Sequence, residues 1–170
     1  FSPLLQAQKV TVNKKSDKVK GESAEGYTTT LDGKKEDVAV AWAKYIKTFG
    51  RVKSGSGYDF IENPAMGGTV YTSGILYAKN DGNVESGSVW LGIRADEWTV
   101  NDIKIVEETM EKLVYQFGIK FYKDKIQAQI NEAQQALNIV VRKQQQLVGE
   151  NKSLNSKLTN NEQQKIQLEK

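Results

Sequence analysis

Apolar and polar positions change their spacing along this chain, and the changes mark out its elements. Residues 9–13 and 26–31 alternate between apolar and polar side chains, which is typical of strands. Between residues 34 and 49 the apolar positions recur at helical spacing instead. Three more strand candidates follow, at 51–62, 69–79 and 84–94. Short links between these strands require antiparallel pairing.

The helix predicted over 34–49 has one apolar face. Its members are Val38, Trp42, Tyr45, Ile46 and Phe49. Asp32 lies where a capping side chain is expected, and Gly50 directly after Phe49 is a natural stop. The pattern therefore predicts a helix that packs this face against the sheet.

A hairpin is predicted at Asn80-Asp81-Gly82-Asn83, because Asp-Gly supplies the positive φ angles of a two-residue turn. With the turn at Asp81-Gly82, Trp90 would lie opposite Ser73. One face of the hairpin then carries Val, Leu and Ala, as a core face does. The other face carries four large side chains among small ones, namely Tyr71, Ile75, Tyr77 and Trp90.

This second face is the candidate ligand or partner surface. A solvated sheet face should be charged or rich in threonine, and this face is neither. One interpretation is that a helix or a second subunit covers it. The other is an open platform for a peptide, a glycan or an apolar ligand.

A second helix is predicted from residue 99 onward. Thr99 and Asp102 have the spacing of a capping box, and Trp98 and Ile103 have that of a hydrophobic staple. An apolar stripe then recurs every three or four residues through Ile103, Val106, Met110, Leu113 and Phe117. Residues 99–125 are therefore predicted to pack on the sheet.

From residue 126 the apolar stripe follows a coiled-coil heptad. The predicted seam contains Ile126, Ile130, Ala133, Leu137, Val140, Leu147, Asn151, Leu154 and Leu158, with polar Gln144, Asn161 and Lys165 at further seam positions. Asn151 suits a parallel dimer, and Lys157 and Glu162 have the spacing of an interchain pair. We expect a homo-oligomer through this helix, a dimer in preference to a trimer, with the helix direction left open.

The predicted fold class is α+β: a small antiparallel sheet of four to five strands with a packed helix, followed by a long C-terminal helix that forms a coiled coil. The predicted organisation is an α+β head over 8–98, a helix packing on it over 99–125, and a coiled-coil stalk over 126–170.

Composition narrows the chemistry. The 170 residues include no cysteine and no histidine, and hydrophobic residues make up only 38%. This excludes disulfides, thiol nucleophiles, the usual zinc and haem ligands, and every triad with a histidine base. No residues pair a base with a nucleophile. We therefore predict a protein that is not an enzyme and that has no metal and no cofactor.

Charge is distributed in three blocks. The net charge is +5 over residues 9–53, −7 over 54–111 and +5 over 112–170. None contains the run of like charges that marks a nucleic-acid-binding tail, so no nucleic-acid partner is expected. The densest basic cluster is Lys14, Lys15, Lys18 and Lys20. It is interpreted as a solvated strand pair or loop, with contact to an anionic surface as the alternative.

The first seven residues are apolar and end in Ala7, just before the polar Gln8-Lys9. This is how the end of a signal peptide meets its cleavage site, so residues 1–7 are interpreted as a signal-peptide remnant. The expected location is periplasmic or at the cell surface, with the cytoplasm as the alternative. No stretch is apolar enough to span a membrane.

Two functional hypotheses follow. The preferred one is a non-catalytic, exported structural or adaptor protein that makes protein–protein contacts and oligomerises through its stalk. The alternative is a ligand-binding protein that uses the aromatic sheet face for an apolar or carbohydrate ligand.

Overall fold

The computed structural model describes residues 9–95 and 98–169. Within them the helices are α1 (Lys35–Ile46), a 3₁₀ turn (Lys47–Phe49) and α2 (Val100–Leu168). The strands are β1 (Val12–Lys14), β2 (Asp17–Val19), β3 (Glu22–Asp32), β4 (Lys53–Ser54), β5 (Asp59–Glu62), β6 (Ala65–Met66), β7 (Thr69–Val70), β8 (Gly74–Gly82) and β9 (Ser86–Ala95). The predicted α+β class is confirmed. Residues 1–7, interpreted as a signal-peptide remnant, lie outside the described residues.

The main sheet is antiparallel, with the order β1-β3-β9-β8-β5-β4, and β2 pairs with a further part of β3. β6 and β7 form a separate two-stranded sheet. Among the described residues the main sheet has seven strands, more than the four to five predicted. Two features account for the difference. The short strands β1 and β2 pair in succession with β3, and the single strand predicted over 51–62 contains two strands, β4 and β5.

The β2–β3 hairpin turns at Lys20 and Gly21, where φ is +53° and +82°. Two successive positive φ angles are the signature of a type I′ turn, whose twist matches that of the flanking strands. The pairing then continues in one register, from Val19 opposite Glu22 to Val12 opposite Thr29. Therefore β1 and β2 together form one interrupted outer strand.

The β8–β9 hairpin forms where predicted, but its turn lies further along. Gly82 pairs with Gly87, so the predicted turn at Asp81-Gly82 is wrong. The side chain of Asn83 explains the shift: its Oδ1 accepts hydrogen bonds from the backbone N–H groups of Glu85 (2.8 Å) and Ser86 (2.9 Å). An asparagine side chain that binds the backbone ahead of it stabilises a turn at its own position.

Helix α1 packs as predicted, with Val38, Trp42 and Ile46 buried. Its predicted cap is wrong, because Lys34 occupies the cap position and no side chain caps the helix. The β8–β9 turn takes part instead: the backbone N–H of Lys35 donates to the carbonyl oxygen of Asn83 at 2.9 Å.

Helix α2 begins as predicted. The backbone N–H of Asp102 donates to Thr99 Oγ1 (3.2 Å), and the backbone N–H of Thr99 donates to Asp102 Oδ2 (3.0 Å). These two reciprocal bonds are the capping box. The hydroxyl of Thr99 and its backbone N–H both donate to the Asp102 carboxylate, and these two bonds hold the pKa of Asp102 below its usual range.

The part of α2 that precedes residue 125 packs on the sheet. Its buried side chains are Val106, Met110, Leu113, Val114, Phe117, Phe121 and Tyr122, whereas Ile103 is 45% exposed and does not join them. Gly118 does not end the helix. A Cβ there would lie 2.6 Å from Val10 Cγ1, so the glycine permits the N-terminal segment to cross the helix closely.

Both helices lie on one face of the sheet and share its core. The indole of Trp42 meets the ring of Phe117 edge-on, with 4.7 Å between the ring centroids. Tyr45 donates its hydroxyl hydrogen to the carbonyl oxygen of Leu113 at 3.0 Å, and burial raises its pKa to about 12. From the sheet, Leu31, Leu76, Leu91 and others complete this cluster.

The chain forms two compact units, residues 1–124 and 125–170. The first contains the sheet, α1 and the first part of α2; we call it the α+β unit. The second is the remainder of α2, here called the helical unit. Every described residue of the helical unit is exposed.

Candidate interaction surfaces

The second face of the sheet, opposite the helices, holds the predicted aromatic surface. Tyr77 and Trp90 are only 2% and 3% exposed, and they cluster with Val19 and Ala24. Ile75 is partly buried against the same cluster. These aromatic side chains are therefore covered by the chain's own residues.

The cover is the interrupted outer strand β1–β2. The indole Nε1 of Trp90 donates a hydrogen bond to the carbonyl oxygen of Lys15 at 2.7 Å. Lys79 Nζ donates to the carbonyl oxygen of Lys18 (2.7 Å) and to Asp17 Oδ1 (2.9 Å). Since Lys79 lies on β8 and its partners on the outer strand, these contacts hold the strand over the aromatic face.

The Asp17 carboxylate is one of the groups that hold the outer strand over the aromatic face. Burial is the largest influence on it and opposes ionisation, but the hydrogen bonds from Lys79 and from the backbone N–H of Lys18 more than offset it. The result is a pKa below the usual aspartate range. Lys79 Nζ also lies 5.6 Å from the centroid of the Trp90 ring, close enough for a cation–π contact.

The pairs across β8 and β9 differ from those predicted. Trp90 lies opposite Lys79 rather than Ser73, while Tyr77 lies opposite Gly92 and Ile75 opposite Arg94. The displacement is an even number of residues, so Ile75, Tyr77 and Trp90 still share a face. Gly92 leaves room for the Trp90 ring, which occupies the space that a Cβ at Gly92 would take.

Tyr71 does not belong to this face. It precedes β8, and its ring lies 5.7 Å from that of Trp98. Both side chains are partly buried against the core cluster of the α+β unit. The structure thus brings together three of the four residues predicted for the aromatic face and places the fourth elsewhere.

Two aromatic residues that the sequence did not single out extend the face. The ring of Tyr58 meets that of Tyr77 edge-on at 5.6 Å, and Phe60 is 6.2 Å from Tyr58. The ammonium groups of Lys20 and Lys53 lie 5.2 and 5.9 Å from the Phe60 centroid. The signal available in the sequence was the alternation of Tyr58 and Phe60 within the strand predicted over 51–62.

The basic cluster Lys14, Lys15, Lys18 and Lys20 lies along β1–β2, as the strand-pair interpretation expects. Lys14 Nζ forms an ion pair with Glu107 Oε1 at 2.8 Å, and this hydrogen bond raises the pKa of Lys14. Lysines on an outer strand also discourage pairing with another sheet.

The seam residues of the helical unit form the second candidate surface. Ile126, Leu137 and Leu147 are 48%, 55% and 55% exposed, and Leu154 and Leu158 are 64% and 58% exposed. Ile130 and Val140 are exposed to a similar degree, and Ala133 and Asn151 are exposed as well. All lie on one continuous helix, so their heptad spacing places them along one stripe.

Within residues 9–95 and 98–169, no group of three or more acidic side chains is arranged to hold a metal ion. In the same residues we find no helix with the length and hydrophobicity that a membrane span requires. Glu107, Glu108 and Glu111 lie near one another on α2, where Lys14 pairs with the first of them.

The chain matches no known protein family, no curated protein and no solved structure.

Proposed function

We propose that this chain is a non-catalytic structural or adaptor protein whose helical unit joins copies of the chain. The observation that carries the proposal is the exposed apolar stripe, repeated at heptad spacing over residues 126–158. A water-exposed helix gains little stability from its backbone alone, and most helices in proteins depend on packing of an apolar face. We therefore expect a stripe of this length to pack against a partner helix.

The α+β unit would then present contacts to another protein, while the helical unit sets the number of copies. The aromatic face lends less support to ligand binding, because Tyr77 and Trp90 lie under the outer strand. A ligand there would have to displace that strand together with its hydrogen bonds to Trp90 and Lys79. The covered face is better suited to stabilising the unit.

The proposal is tested by measuring the molar mass of the full chain by light scattering over a range of concentrations. The expected result is a stable oligomer. A monomer at every concentration, combined with Trp fluorescence that changes on adding oligosaccharides or apolar compounds, would instead support the ligand-binding alternative.

We also propose that the protein is exported to the periplasm or cell surface, because residues 1–7 have the pattern of the end of a signal peptide. Mass spectrometry of the protein isolated from its own cells tests this. A mature chain that begins at Gln8 supports export with cleavage after Ala7. A mature peptide that spans Ala7 and Gln8 contradicts cleavage at that position.

A further inference from the structure

The apolar seam of the helical unit is interrupted by polar side chains, and these determine which arrangement of helices it fits. Gln144, Asn151 and Asn161 occupy seam positions, and all are exposed in the single chain. In a parallel pair of helices in register, each residue lies opposite its own copy. An amide carries both donors and an acceptor, so two facing amides can satisfy each other.

In an antiparallel pair the same amide side chains would face different residues. The alignment that brings Leu137 opposite Leu154 of the second chain also sets amides against aliphatic side chains. Gln144 would then face Leu147, Asn151 would face Val140, and Asn161 would face Ile130. A polar group buried without a partner is strongly unfavourable, so the polar positions favour the parallel arrangement over this antiparallel alignment.

The residues beside the seam fit the parallel pairing as well. Seam positions alternate between two kinds, those like Leu158 and those like Asn161. In a parallel pair, the residue just before a position of the first kind approaches the residue five places later on the other chain. Lys157 then approaches Glu162, which is an attractive pair. Across the described residues no two like charges meet at these flanking positions.

Two valines beside the seam are also accommodated. Val141 and Val148 are 40% and 64% exposed, and in the parallel pairing they approach Ala136 and Lys143 of the other chain. The methylene stem of a lysine covers apolar surface while its ammonium stays in water. The antiparallel alignment would instead pair Lys143 with Glu150, but an exposed ion pair contributes less than buried amides lose.

Lys165 occupies a seam position near the end of the helix. Its ammonium is directed along its own helix, where Nζ lies 3.8 Å from Glu169 Oε1. The side chain is 75% exposed. The Glu169 carboxylate offsets the charge of Lys165, which reduces repulsion between two copies at this position.

We infer that the occupant of this face is a second copy of the same chain, bound parallel and in register. The inference rests on the proposed function, which requires only that copies associate. It adds the direction and the register, and it names Gln144, Asn151 and Asn161 as the residues that select them.

The absence of cysteine from the chain permits a direct test. In full-length protein, Leu154→Cys should form a disulfide with its own copy under mild oxidation, doubling the mass on a non-reducing gel. In the antiparallel alignment the two copies of residue 154 lie seventeen residues apart, which is roughly 25 Å along the helix and beyond the reach of a disulfide. Ile166→Cys, exposed but outside the seam, is the control and should remain uncrosslinked.

Antiparallel chains would give a different pattern of disulfides. Leu137→Cys mixed and reannealed with Leu154→Cys would give a mixed disulfide if the chains were antiparallel, and that result would overturn the inference while leaving the proposed function intact. A light-scattering mass of three copies would also overturn it. A monomeric mass would overturn the proposed function itself.

Discussion

The indole N–H of Trp90 donates a hydrogen bond to the backbone carbonyl oxygen of Lys15, 2.7 Å away. The bond joins the middle of the sheet to the strand that forms its outer edge. Without such a partner, the buried indole N–H would lose its bond to water at a cost in stability. Trp90 thus both fills the second face and anchors the strand that covers it.

We expect Trp90→Ala to lower the free energy of unfolding by about 3–5 kcal/mol, since it removes a buried aromatic ring. Trp90→Phe keeps most of the ring and removes the hydrogen bond, so its loss should be smaller. Urea denaturation measures both. Val84→Ala, at a site 76% exposed in the β8–β9 turn, is the control and should change stability little.

Fluorescence quenching tests the same cover independently. With Trp42 and Trp98 replaced by phenylalanine, Trp90 is the sole fluorescent indole, and we expect weak quenching by iodide and by acrylamide. Efficient quenching by iodide, in a protein that is still folded, would mean that the outer strand does not cover this face in solution.

The contact between Lys79 and Asp17 should contribute its own stabilisation. Lys79→Met keeps the methylene stem over Trp90 but removes the ammonium that binds Asp17 and the carbonyl oxygen of Lys18. A double-mutant cycle with Asp17→Asn should give a coupling energy of about 0.5–1 kcal/mol, because both side chains are partly exposed. A coupling energy of zero would show that the ion pair does not stabilise the outer strand in its position over the aromatic face.

Stability should also fall in acid through Asp17. Its pKa is lowered in the folded state, so the stabilisation is fully present above the unfolded pKa, about 3.9, and is lost as pH falls through the folded value. Asp17→Asn should therefore be less stable than the native chain at neutral pH, and the difference should shrink in acid. Parallel stability curves for the two proteins would contradict the assignment.

Local signals predicted the starts and types of the helices well. The bonds between Thr99 and Asp102 depend on neighbours three residues apart, so the sequence pattern contains nearly all the required information. The cap of α1 could not be predicted in this way, because the N–H of Lys35 is satisfied by Asn83, which follows it by almost fifty residues.

The aromatic face was likewise predictable only where it depends on neighbours in sequence. Its membership depends on the alternation of residues along β8 and β9, so Ile75, Tyr77 and Trp90 were assigned together correctly. The covering strand depends on a turn at Lys20-Gly21, where a lysine adopts a positive φ that its residue type rarely does. Tyr71 was misassigned because β8 begins only at Gly74.

The capping box should be measurable on its own. Thr99→Ala removes the hydroxyl that accepts from the N–H of Asp102, and we expect a loss of about 0.5–2 kcal/mol. Thr109→Ala is a matched control, since its hydroxyl only donates to the carbonyl oxygen of Ile105 within the same helix. Thermal denaturation of the two variants should separate them, and equal melting temperatures would contradict a stabilising role for the cap.

The seam of the helical unit can be tested with a pair of variants that differ only in where the charge is placed. Leu147→Lys combined with Leu154→Lys puts like charges into the seam, so we expect the oligomer to dissociate and the helical signal in far-ultraviolet circular dichroism to fall. The control combines Ile139→Lys with Ile166→Lys. These two side chains are 66% and 57% exposed, comparable with the leucines at 55% and 64%, but they lie outside the seam.

Both variants gain the same charge, so a general effect of charge on helicity or mass would appear in both. If the native protein is an oligomer and the seam variant keeps its mass, the heptad assignment is wrong and association depends on another surface.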